Sequence, residues 1–385
     1  MGSHANTGER PITRDNAMRT VALIGAGKIG EAITALFAAS GRYKVKVCDN
    51  DLKRAELAVR DKISCEAHLV DLNDAASLRK LLSDCEIVIS ALPFFCNRAV
   101  AQAAHDVGIH YADLTEDVET SKFIAQLSRN SRSCFMPQCG LAPGFISIAA
   151  AHLVGLLDSV DSLKLRVGAL PMYPTNRLMY NLTWSTDGLI NEYCNPCEAI
   201  QGGIKLSVPA LEGVEKFSLD GDEYEAFNTS GGLGTLADAL HGKVTDLNYK
   251  TIRYPGHREL VLFLLHDLKF INDRDALKKV FERSIPTTGQ DKCIIFVEAS
   301  GILKGVRTQK TYASCVYNQA VSGKHFSAIQ ITTAAGICAP VDLLLSGAIG
   351  KRSGFIRAED VSLTDFLANE FGKLCRDDRA LRGIA

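Results

Sequence analysis

Gly25-Ala26-Gly27-Lys28-Ile29-Gly30 has the spacing of a loop that holds a dinucleotide pyrophosphate. Gly25 would make the tight turn, Gly27 would admit the phosphates to the backbone, and Gly30 would let helix and strand pack closely. Lys28 and Ile29 open the following helix, whose free N–H groups and positive dipole end attract the anion. Asp49 ends the next apolar stretch, roughly 20 residues on, where a carboxylate accepts hydrogen bonds from the adenosine ribose. A 2′-phosphate at about 4 Å from that carboxylate would cost on the order of 4 kcal/mol per unit charge at an effective dielectric near 20. Asn50, Asp51 and Leu52 follow and the first arginine is Arg54, so NAD is expected over NADP.

Other residues with chemical capacity cluster at predicted strand ends. Asp71 borders the adenine or caps the next helix, and Leu92-Pro93 either flank the nicotinamide ribose or merely stop a strand. Asp113, Glu116 and Asp117 form an acidic group suited to binding and deprotonating an ammonium, since neighbouring buried carboxylates hold raised pKa values. Asp113 and Glu116 are the catalytic candidates there, against Asp117 as a helix cap. Gly140, in Cys139-Gly140-Leu141-Ala142-Pro143-Gly144-Phe145, leads to a helix start that would hold a carboxylate or simply carry the chain between domains. Thr229 and Ser230 lie in a polar glycine loop and are expected to bind substrate by hydrogen bonding. Lys250-Thr251-Ile252-Arg253-Tyr254-Pro255-Gly256-His257 brings together two cations, a phenol and an imidazole. Arg253 and Tyr254 are expected to bind substrate, Arg253 by bidentate carboxylate recognition, and His257 to take part in catalysis. A strand with solvated charges reads the same way. Trp184, the sole tryptophan, is expected in a core or interface.

The elements that must position these groups alternate. Val21 to Ile24 is a short uncharged run, as in a strand buried on both faces. Strand–helix units then repeat to Gln138, which predicts a doubly wound parallel sheet of Rossmann type. From Ser162 to about Val321 alternating strands predict a second, largely antiparallel α+β domain, with hairpins marked by Gly202-Gly203 and Ser300-Gly301. Ser327 to Ser346 is a long apolar helix expected to return to the first domain. The expected divisions are a polar leader (1–17), a dinucleotide-binding domain (18–144), a substrate and oligomerisation domain (145–326) and a C-terminal return (327–385).

At 385 residues two domains are the prior. A formal net charge of −1 argues against a nucleic-acid partner or a polybasic membrane surface. No apolar run reaches the roughly 20 residues that span a bilayer. The twelve cysteines are scattered through apolar segments with no secretion signal, so a reduced, cytoplasmic protein is expected. Cys194-Asn195-Pro196-Cys197 lacks a second pair or nearby histidines, and no metal site is expected.

Taken together, several stretches resemble the saccharopine dehydrogenase-like family and, within it, the bacterial lysine 6-dehydrogenases. They are Leu23-Ile24-Gly25-Ala26-Gly27, Gly140-Leu141-Ala142-Pro143-Gly144, Asp187-Gly188-Leu189-Ile190, Glu225-Ala226-Phe227 with Thr229-Ser230-Gly231-Gly232, and Tyr249-Lys250-Thr251-Ile252-Arg253-Tyr254 with Gly256-His257. The resemblance implies an NAD-dependent oxidation of an amino-acid C–N bond. For lysine this would convert the ε-amine to the semialdehyde and its cyclic imine. It also implies a homodimer or homotetramer. Thr115-Glu116-Asp117 departs from the lysine 6-dehydrogenase pattern of glycines and a histidine, leaving saccharopine or a carboxylated polyamine as alternatives. A dinucleotide sensor without turnover is the alternative from another class.

Overall fold

A computed structural model describes residues 18–376; the expected polar leader lies outside the described residues. The first layer alternates strictly. Its elements run β1 (Arg19–Ile24), α1 (Lys28–Ser40), β2 (Tyr43–Asp49), α2 (Leu52–Val59), β3 (Cys65–Leu69) and α3 (Ala75–Leu82). They continue with β4 (Ile87–Ser90), α4 (Asn97–Val107), β5 (His110–Asp113), α5 (Val118–Ser128) and β6 (Cys134–Met136). Val21, Ala22, Leu23 and Ile24 are fully buried because helices cover both faces of the central strand. The strands pair in parallel in the order β6-β5-β4-β1-β2-β3, the doubly wound arrangement predicted. Side-chain caps set the helix starts: Asp51 for α2, Asp74 for α3 and Asp117 for α5.

The chain crosses over through α6 (Phe145–Gly155) into β7 (Ser159–Pro171), α7 (Thr186–Cys194), β8 (Cys197–Gln201), β9 (Ile204–Val208), β10 (Glu215–Leu219) and β11 (Asp222–Asn228). Then come α8 (Leu236–Leu240), β12 (Val244–Arg253), α9 (His257–Leu262), α10 (Arg274–Ser284), β13 (Asp291–Leu303) and β14 (Val306–Tyr317). The main sheet runs β10-β11-β12-β7-β13-β14, with the β8–β9 hairpin attached to β12. Its pairings are antiparallel except for β7 with β12, which are parallel. Gly202-Gly203 does turn a hairpin, whereas Ser300-Gly301 does not. Those two residues sit inside β13 at a register shift against β7, where a Cβ on Gly301 would fall 1.9 Å from Ser159 O. The glycine there marks close backbone approach and a bulge; the chain turns later, at Lys304-Gly305.

A small hairpin, β15 (Gln319–Val321) and β16 (Lys324–Phe326), leads to α11 (Ala328–Leu345). Ser327 and Gln330 close a capping box at its start. By length and hydropathy α11 is the one helix among the described residues apolar enough to cross a membrane, but 89% of it is buried inside the fold. It packs on α1 and β13, and its last turn receives Arg42 and Tyr43 on Asp342. The chain then adds β17 (Gly354–Phe355) to the free edge of β6 and passes through α12 (Leu363–Ala368) to a 3-10 turn at Gly372–Cys375.

Candidate active site

The glycine loop has the form its spacing predicts. Gly25 takes φ +105°, and a Cβ on Gly30 would lie 1.9 Å from Gly25 O, so any side chain there would push helix and strand apart. Over Gly27, by contrast, a Cβ would meet nothing within 4 Å. This open cradle at the start of α1 fits a pyrophosphate. Asp49 stands at the carboxyl end of β2 and is largely buried. It accepts from Ala26 N at 2.8 Å and from Asp51 N at 2.9 Å, so it fastens the glycine loop. Asp71 accepts from Asn73 N in an exposed turn two residues past β3; Asp74, not Asp71, caps α3.

A cleft of about 290 Å³ opens beyond the carboxyl ends of β1 and β4. One wall consists of Ile29, Leu92, Pro93, Phe94, Leu114, Glu116 and Gly140. The opposite wall is the second sheet and α7, with Trp184, Glu192, Ser230, Tyr249, Thr251 and Arg253, and Ile329 and Thr333 of α11 close one end. Gly140 contributes backbone: its carbonyl accepts from Phe145 N, and its N–H donates to Pro143 O. Trp184 packs against the buried cluster of Leu182, Leu189 and Ile190, as expected of a core residue, and its ring also lines the cleft. A Cβ on Gly188 would lie 2.3 Å from that ring, so the glycine of Asp187-Gly188 makes room for it.

β12 divides its residues by alternation. Tyr249, Thr251 and Arg253 face the cleft. Tyr254 points away, donating to Pro171 O at 2.9 Å and stacking on Tyr224 at 5.6 Å, which corrects the expectation that it binds substrate. Arg253 is held in place on three sides. Its Nε donates to Tyr193 Oη at 3.0 Å, its Nη1 to Thr251 Oγ1 at 2.8 Å and Ile252 O at 2.9 Å, and its guanidinium lies over the Tyr180 ring.

His257 does not reach the cleft. Its Nδ1–H donates to Leu178 O at 2.8 Å, which leaves Nε2 to accept from the Tyr193 hydroxyl at 2.9 Å. Burial and the Arg253 charge push its pKa down to about 3. The expectation of catalysis is thus corrected: a neutral imidazole two bonds behind Arg253 orients Tyr193 and cannot touch a substrate. Asp113 is also withdrawn. Fully buried, it accepts from Tyr111 Oη at 2.7 Å and from Thr115 N and Gln138 N at 3.0 Å. Burial holds its pKa up to about 6 against those donors. It fixes the loop that carries Glu116 rather than meeting a substrate.

Glu116 does line the cleft, its pKa raised by burial and by Asp113 and Asp117. Its counterpart is Glu192 on α7, a residue the sequence did not single out. Burial pushes Glu192 up to about 7; Arg253 opposes the shift and Glu116 adds to it. Ser230 also faces the cleft, its hydroxyl donating to Asn191 O. Thr229 lies on an adjoining recess rather than in the cleft itself.

Comparison with known proteins agrees with this architecture. The saccharopine dehydrogenase NADP-binding domain model matches residues 21–134, and the saccharopine dehydrogenase C-terminal domain model matches residues 140–374. The saccharopine dehydrogenase (NADP+, L-glutamate-forming) of Schizosaccharomyces pombe is 23% identical over 206 residues, 51% of this chain and 45% of that protein. The Saccharomyces cerevisiae protein of the same name is 25% identical over 185 residues, 45% of this chain and 40% of that one. The match thus spans less than half the length of these curated relatives. Apo histidine-tagged saccharopine dehydrogenase (L-Glu forming) from Saccharomyces cerevisiae superimposes with a TM-score of 0.76 at 16% identity. That superposition covers 91% of this chain and 96% of the other, a shared fold.

Proposed function

The chain belongs to the saccharopine dehydrogenase family, and from that membership we propose that it is a pyridine-nucleotide-dependent oxidoreductase acting on the C–N bond of an amino acid. The specific reading is oxidation of a side-chain primary amine, as in lysine 6-dehydrogenase, giving the semialdehyde and its cyclic imine. The observation that carries it is the charge of the cleft. Among the described residues Arg253 is the one cation lining it, against Glu116, Glu192 and Asp187. Asp187 is offset by Lys278 outside, whereas Glu116 and Glu192 face inward. One carboxylate and two amines balance such a lining, which is lysine's charge pattern.

Gly25 to Gly30, Asp49, Leu92 and Pro93 are the residues that would hold the dinucleotide. When bound, it supplies the acceptor for the hydride that leaves the substrate carbon. The chain's own groups do the rest. Arg253, pinned through Nε and Nη1, presents Nη2 to a carboxylate. Glu192 and Glu116 attract the ammonium, and a carboxylate titrating near neutrality takes the proton that must leave nitrogen before hydride can leave carbon. Trp184, Leu92 and Phe94 give this end of the cleft an apolar lining that limits water.

NAD is the proposed cofactor, although the family model and the yeast relatives carry NADP in their names. Its support is local. On this reading Asp49 and Asp51 would face a 2′-phosphate with negative charge, and Arg54 sits beside Asp51 at 3.6 Å. A second reading, saccharopine as substrate, draws on the names of those relatives. It asks one arginine to answer three carboxylates.

Absorbance at 340 nm with NAD or NADP and a panel of lysine, ornithine, 1,5-diaminopentane and saccharopine tests the proposal. Lysine turnover is expected. Turnover of saccharopine alone transfers the assignment to the second reading, and a higher kcat/KM with NADP overturns the cofactor choice.

A further inference from the structure

Next to the cleft lies a recess of about 210 Å³ that the reaction outlined above does not use. The two spaces share Phe94, Glu116, Glu192, Ser230, Gly231 and Tyr249. Among the described residues no lysine, arginine or histidine lines the recess, whereas five carboxylates do. Three of these are engaged elsewhere: Asp117 caps α5, Glu119 pairs with Lys122, and Glu198 pairs with Lys205. Glu116 and Glu192 remain turned inward. An acidic lining alone would describe any solvated surface, but Thr229 adds a separate observation. It lines the recess at 2% exposure, and its Oγ1 is buried with no hydrogen-bond partner among the described residues. Buried hydroxyls are almost always satisfied, so this oxygen is poised for a donor that is not part of the chain. A small cation with N–H donors meets both requirements. An alkali ion would want a shell of oxygens, and a quaternary ammonium offers nothing for Oγ1 to accept.

We infer that this recess is a primary-ammonium subsite, with Thr229 Oγ1 accepting one N–H and Glu116 and Glu192 supplying the charge. The inference deepens the amine-oxidising reading and rests on it for the origin of the ligand. That ligand is either the second amine of a diamino substrate or the ammonium set free when the imine is hydrolysed.

Saturation-transfer NMR with methylammonium chloride, on the full chain without nucleotide and at constant ionic strength, tests it. A saturable methyl signal is expected, with little or none from tetramethylammonium. Thr229→Val, nearly isosteric, is expected to weaken methylammonium at least about 5-fold. Displacement by lysine assigns the subsite to the substrate's second amine, and methylammonium that stays bound beside lysine assigns it to released ammonium; either supports the subsite. Equal signals from methylammonium and tetramethylammonium in the unaltered protein overturn it, as does unchanged affinity in the valine variant. Because binding is read without turnover, the two readings fail separately. Methylammonium binding without lysine oxidation removes only the reaction assignment, and lysine oxidation without binding removes only the subsite.

Discussion

Glu192 Oε2 and Arg253 Nη2 lie 3.8 Å apart, close enough to sense each other's charge but too far for a hydrogen bond. The gap leaves the guanidinium with a donor for a carboxylate and the glutamate with an acceptor for an ammonium.

Removing the arginine should therefore cost affinity only for substrates that carry a carboxylate. Charged hydrogen bonds contribute about 1.5–3 kcal/mol, so Arg253→Ala is expected to raise KM for lysine at least about 10-fold. KM for 1,5-diaminopentane should change far less. Equal effects on both substrates would place Arg253 outside the binding site.

The pH dependence follows from Glu192. Its carboxyl is held up to about 7, so it is protonated and unable to accept a proton below that pH. The kcat/KM for lysine is expected to rise as pH passes about 7, and Glu192→Gln should remove that inflection and lower the rate roughly 100-fold. Stability moves in the opposite sense. A carboxyl at about 4.3 when unfolded and about 7 when folded favours the fold at low pH and loses that contribution as pH rises through 7. Melting temperatures of the glutamine variant should fall less between pH 5 and pH 8 than those of the parent protein.

Cofactor choice is open to a surface substitution. Asn50 is exposed directly after Asp49, so an arginine there would meet a 2′-phosphate without disturbing the bonds Asp49 makes to Ala26 and Asp51. Asn50→Arg is expected to raise kcat/KM for NADP about 10-fold. An unchanged ratio of NAD to NADP turnover would remove this edge from the ribose site.

Gly188→Ala reports on the cleft wall. The new methyl would stand 2.3 Å from the Trp184 ring, which must move. As Trp184 is the only tryptophan, a shift of the emission maximum should accompany a rise of about 5-fold in KM. Unaltered emission would show that the ring already has freedom to turn.

The parallel layer was legible because its strands are buried on both faces and read as unbroken apolar runs. The glycine spacing then located the tight turn before α1, where Gly25 takes positive φ and Gly30 packs on it. Alternation along β12 was also readable: separating Tyr249, Thr251 and Arg253 from Lys250, Ile252 and Tyr254 needs only the two-residue repeat. Asp113 carried a signal of another kind, since an aspartate two residues before Thr115 commonly folds back on its own backbone. Glu192 was not legible. It sits within a short amphipathic helix, and nothing local tells which of its acids will face Arg253, a residue 61 positions later that only the second sheet brings alongside. His257 misled for the same reason, because the carbonyl that fixes its tautomer belongs to Leu178.

The placement of α11 and β17 bears on the order in which the molecule is made. The apolar face of α1 is covered by a helix that begins at Ala328, and the free edge of β6 is paired only by Gly354 and Phe355. The first layer is complete through β6 at Met136, yet its two open sides wait on α11, which begins roughly 190 residues later, and on β17 after that. During synthesis the first layer emerges as an incomplete sheet with an exposed seam, vulnerable to association with other nascent chains until α11 and β17 follow to close it.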